Sequence, residues 1–112
     1  MRRMIALIAP FAIAALVGLS PATAQAQDFK LTIKDHKFSP EEIKVPANTR
    51  VIITIVNEDA SAEEFDSSAL KVEKVVAGKS SGTVRIGPLK PGRYPFIGEF
   101  HEATAKGVVI AE

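Results

Sequence analysis

From residue 28 onward, apolar and polar positions alternate in short runs. Phe29-Lys-Leu-Thr-Ile-Lys34 has a period of two, the mark of a half-buried strand. Asp35 to Pro40 breaks that run; Ile43 and Val45 resume the alternation before a turn at Pro46-Ala-Asn-Thr49. Val51-Ile-Ile-Thr-Ile-Val56 is apolar almost throughout and rich in β-branched residues, as a central strand is. A polar loop, Asn57 to Ala62, follows. Phe65 to Ala69 reads as a short strand or the start of a connecting excursion, and Leu70 to Val76 fits a strand or a helical turn. Thr83-Val-Arg-Ile86 predicts a further strand, which Gly87-Pro88 ends. No stretch carries the period of an ordinary helix. About seven short strands separated by turns predict an all-β Greek-key β-sandwich.

The segment from Leu89 organises the rest. Pro91-Gly92 is a turn, because Pro presets φ at one central position and Gly accepts φ > 0 at the next. Tyr94 is placed to fold over that turn and return its hydroxyl to nearby backbone. Tyr94, Phe96 and Gly98 share one strand face, and Glu99 and His101, two residues apart, are expected to point the same way. Gly107 opens a last apolar strand, Val108-Val-Ile110.

Composition narrows the chemistry. Residues 1–26 read as a cleaved secretory signal: Arg2 and Arg3 first, an apolar run from Ile5 to Leu19, then Ala24-Gln-Ala26 as the cleavage site. That leaves one domain, residues 27–112, expected in the periplasm and not spanning the membrane. Without Arg2 and Arg3 there are 12 basic side chains against 13 acidic ones, which gives no electrostatic footprint for nucleic acid. The chain has no Cys, and its two Met residues, Met1 and Met4, leave with the signal. The mature domain is therefore free of sulfur. Nothing resembles a Ser/His/Asp triad or a phosphate loop, so no catalytic residue is assigned.

The sequence Leu89-x-Pro-Gly-x-Tyr-x-Phe96, a loop with His101, then Gly107 and an apolar strand resembles the C-terminal half of a cupredoxin. The Phe38-x-Pro40 step extends the resemblance over nearly all of the chain after residue 27. In that family the closing loop supplies Cys, His and often Met to copper. The resemblance places Gly98 at the Cys position, keeps His101, and puts Ala105 or Lys106 where the Met falls. A type 1 copper centre requires a thiolate, so no such centre is expected.

Imidazoles and carboxylates remain, a donor set suited to Cu(II), Fe(II), Zn(II) or Mn(II). His101 holds the family's ligand position. His36 lies two residues before Phe38, at the metal end of the fold by analogy. Glu63-Glu64 follows Asn57 at the spacing where the family places an upstream His. A strand turns only one of Glu63 and Glu64 inward, and the sequence does not say which. Glu99 is expected to face with His101 and, with Glu63 or Glu64, to complete a carboxylate-rich cluster; the candidate set is His36, Glu63, Glu64, Glu99 and His101, with Glu73 as an outer ligand. Glu63-Glu-Phe-x-Ser67 and Gly98-Glu-Phe-His101 are similar to cupredoxin-like periplasmic proteins of bacterial ferrous-iron uptake. That resemblance implies binding of iron or copper in support of an inner-membrane iron permease. Ferroxidase activity would need an electron acceptor that the sequence does not show. The alternative is a metal-free interaction module; nothing in the sequence decides between monomer and dimer.

Overall fold

The two-residue period is realised as strands throughout the computed structural model, which describes residues 27–112. The proposed signal at 1–26 lies outside the described residues. The strands are β1 (Gln27–Lys34), β2 (Lys37–Ser39), β3 (Glu42–Val45), β4 (Val51–Asn57), β5 (Glu63–Ser67), β6 (Val72–Val76), β7 (Ser80–Ile86), β8 (Gly92–Gly98) and β9 (Lys106–Ala111). They form two sheets, β2-β1-β4-β7 and β3-β9-β8-β5-β6. The β1–β4 and β3–β9 pairs are parallel, and the other pairs are antiparallel. The all-β sandwich is as expected, with nine strands among the described residues rather than about seven.

Two short segments account for much of the difference. Lys37–Ser39 is a strand because Asp35 and His36 turn the chain back in a two-residue hairpin that pairs Lys34 with Lys37. Leu70 to Val76 resolves as strand: a turn closes at Lys71, and Val72–Val76 pairs with β5 from Ser67 to Glu63. No helix among the described residues is long and apolar enough to cross a membrane.

Alternation fills the space between the sheets. Val51, Ile53 and Ile55 of β4 meet Phe65, Phe96 and Val109 from the second sheet in one buried cluster. Phe38, Phe65 and Phe96 form its aromatic end, with ring centroids 4.8–6.2 Å apart. Each of these rings lies two residues from a position of interest: 36, 63 and 98. Gly107 is needed here, since a Cβ would come within 2.4 Å of the Phe96 ring. At the far end of β8, the Tyr94 hydroxyl donates to the Lys90 carbonyl at 2.7 Å, closing the expected corner.

Candidate functional site

The β1–β2, β4–β5 and β8–β9 connections meet at one end of the sandwich. Glu63 opens β5 and points inward, 1 % exposed, while Glu64 faces out. A buried carboxylate needs donors, and Glu63 has three. The Glu64 and Phe100 N–H groups donate to its Oε1 at 3.0 and 2.9 Å. His101 Nδ1 lies 2.6 Å from its Oε2. With Glu63 ionised, the imidazole is the donor in that contact, which leaves Nε2 of His101 for an external partner.

Gly98 explains how the carboxylate fits. A Cβ at residue 98 would lie 2.6 Å from the Ala105 Cβ and 2.8 Å from the Glu63 carboxyl carbon. The volume beside position 98 is thus held by Glu63 and Ala105. The Gly98 N–H donates to the Ala105 carbonyl at 2.8 Å, so residues 99–104 form a tied loop over the buried acid.

His36 is the third member. Its ring stacks on His101 with centroids 3.5 Å apart and 9° between the planes. The two imidazoles of the chain, far apart in sequence, thus share one surface next to a buried carboxylate.

Two expected members lie elsewhere. Glu99 to His101 is a 3-10 turn, not a continuation of β8, so residues two apart no longer share a face. Glu99 instead joins Glu64 and Glu73 on the outer side of the second sheet, where one carboxylate oxygen of each lies within 4.8 Å of the others. A hydrogen bond with Glu64, aided by one with Asp66 and by the charges of both, pushes the Glu99 carboxyl up to about 7. The expected five-residue set therefore divides: His36, Glu63 and His101 at the loop end, Glu64 and Glu99 in the exposed acidic patch.

Sequence reasoning passed over the residues that tie the loops together. Asp59 accepts the N–H groups of Asp35 and His36 at 2.8 and 2.9 Å. The His36 N–H bond is the main cause holding the Asp59 carboxyl below its ordinary range. Thr104 donates its hydroxyl to the His36 carbonyl at 2.6 Å. Asn57 is buried and donates to the Ser61 and Val76 carbonyls at 2.9 and 3.1 Å. Asn57-x-Asp59 is an Asx-type signal that marks the loop, though not the hairpin it captures.

The donor chemistry decides which ion suits the site. A type 1 copper centre does not fit, since no thiolate exists and the space at residue 98 is filled. The imidazole nitrogens are donors of the kind that Cu(II), Fe(II) or Zn(II) accept, while the Glu63 oxygens are already engaged by three donors and stand behind His101.

A model of the cupredoxin-like domain family matches residues 4–111. An uncharacterized protein of Rickettsia prowazekii (strain Madrid E) is 45% identical over 83 residues, 74% of this chain. The match covers 66% of that protein, so the chain spans just under two thirds of its length. The metal-binding domain of the Cu(I)-exporting P-type ATPase of Streptococcus pneumoniae D39, solved with Cu(I), superposes with a TM-score of 0.67 at 14% identity, covering 82% of this chain and 91% of that one. Auracyanin A, a blue copper protein of Chloroflexus aurantiacus, gives a TM-score of 0.66 at 14% identity, with 79% and 100% covered. Identities this low show a shared fold and nothing finer.

Proposed function

The chain belongs to the cupredoxin-like domain family, and from that premise we propose that it is an exported protein binding Cu(II) or Fe(II) through imidazole and carboxylate. The observation that carries this reading is the stacked pair His36–His101 above the buried Glu63. His101 would hold the cation through Nε2, and His36 would join it once its ring turns off the stack, because parallel rings 3.5 Å apart aim their nitrogen lone pairs in separate planes. Glu63 serves by holding the Nδ1 proton of His101, which keeps Nε2 a free lone pair, as carboxylates do behind histidine ligands. Copper is supported by the copper-holding members of the fold described above; iron rests on the sequence resemblance.

The setting extends the same reading. Arg2, Arg3, the apolar run to Leu19 and Ala24-Gln-Ala26 support export to the periplasm. There the protein would serve as an accessory of metal uptake, handing its ion to an inner-membrane permease of the ferrous-iron type.

Titration calorimetry of the metal-free protein with Cu(II), and with Fe(II) without oxygen, tests the reading. One ion per chain is expected, with His101→Ala weakening binding more than His36→Ala and Glu64→Gln leaving it unchanged. The copper form should show only weak d–d absorption, since no thiolate is present. A second reading, a metal-free interaction module, is favoured by one fact: Glu63 already has three partners without any cation. Titrations silent for both ions would select it.

A further inference from the structure

We propose that Asp59 positions His36 over His101 and thereby sets how tightly the site takes its cation; the affinity part rests on the metal-binding reading above. Asp35 and His36 have φ of 53° and 59°, a left-handed conformation uncommon for residues other than glycine. Two such residues in succession make a tight hairpin loop of a kind that usually contains glycine. Asp35-His36 lacks that help, so the conformation is held from outside.

Asp59 supplies the hold. One carboxylate oxygen takes the Asp35 N–H and the other takes the His36 N–H. Both oxygens are thereby committed to the hairpin, which argues against Asp59 as a ligand. Asp59 is itself fixed: its N–H donates to Asn57 Oδ1 at 3.0 Å, and its carbonyl accepts the Lys79 N–H at 2.8 Å. From the opposite side, Thr104 grips the His36 carbonyl and belongs to the turn that begins at His101. The His36 backbone is thus anchored at its N–H to the β4–β5 loop and at its carbonyl to the His101 loop. An exposed hairpin tip would otherwise have to order its side chain when the ion arrives, at a cost in affinity. The anchors meet the backbone part of that cost during folding and leave only the His36 ring to turn from the stack toward the ion.

The test uses the purified protein, Cu(II) as probe, and two readings by nuclear magnetic resonance in the metal-free state. Ring-to-ring Overhauser contacts between His36 and His101 report the stack, and the His101 Nδ1 proton reports the bond to Glu63. Asp59→Ala should weaken Cu(II) binding about tenfold, the lower end of what removing a group that orients a ligand costs. It should erase the ring contacts and leave the Nδ1 proton in place. Thr104→Val should act in the same direction. In an Asp59→Ala/His36→Ala protein, affinity should match His36→Ala alone, since Asp59 acts only through His36.

Parental affinity in Asp59→Ala, or a further loss on the His36→Ala background, would overturn the proposal. Disappearance of the Nδ1 proton as well would also overturn it, because Asp59 would then support the whole end of the sandwich. A parent protein that takes no Cu(II) defeats the metal reading and the affinity claim together. The ring contacts distinguish that failure from a failure of Asp59.

Discussion

Glu63 and Glu64 are neighbours in sequence and chemically identical, yet they sit in opposite electrostatic settings. On the inner face Glu63 is buried, takes two backbone N–H groups and faces an imidazole. On the outer face Glu64 meets other carboxylates, and there the Glu99 proton is retained up to about pH 7. The two sides are satisfied differently: aimed donors partner the inner carboxylate, whereas on the outer side Glu99 shares a proton with its neighbours.

Glu63→Ala breaks the comparison most severely. It leaves two backbone donors and the His101 ring unpaired beside a cavity, and should destabilise by about 1–3 kcal/mol. Glu64→Ala should stay within ~0.5 kcal/mol, as surface changes do. Urea titrations of the two variants decide this; a Glu63 loss no larger than that of Glu64 would contradict the donor argument.

Gly98→Ala sharpens the inner half. The added methyl meets Ala105 and the Glu63 carboxyl group, and overpacking of this kind costs about 1–3 kcal/mol. Part of that cost should vanish in a Glu63→Ala background, because the two positions contest one volume. Full additivity in the double variant would show that the contest is with Ala105 alone.

The smallest effect concerns pH. The folded Glu99 carboxyl is raised from its ordinary 4.5 to about 7, so in that window the folded state binds more protons than the unfolded one. Its contribution to stability is therefore full below about 4.5 and is lost as pH rises to 7. Glu99→Gln should raise the melting temperature at pH 8 relative to the parent, with less change at pH 4. Asp59 has the opposite sign: its lowered value contributes stability above the ordinary 3.8 that is lost as pH falls through the folded value. Melting curves from pH 3 to 8 separate the two, and a Glu99→Gln curve parallel to the parent would remove the shared proton.

Features governed by alternation were legible in the sequence: the core strands, the Tyr94 corner, and the rule that only one of Glu63 and Glu64 turns inward. Choosing between the two required knowing which face of β5 meets β4, a fact of tertiary packing. Glu99 does join a carboxylate cluster with Glu64, but it does not share a face with His101, because the strand period was carried one step too far, into a 3-10 turn that local propensity does not announce. The anchoring of His36 was illegible for a different reason. Asp59 reaches it across 23 residues and Thr104 across 68, and hydrogen bonds at such separations leave no trace in a local pattern.

The parallel pairing of β3 with β9 has a kinetic consequence. Glu42 must wait for Val108, and Val45 for Ala111, before the second sheet can include its edge strand. Such pairings close long loops, and folds dominated by them are slow to form. A ribosome-bound chain lacking residues 106–111 has neither the partner of β3 nor the strand that completes β8. Among the described residues β9 is the last strand to be made, so the second sheet stays open until every other strand has already emerged.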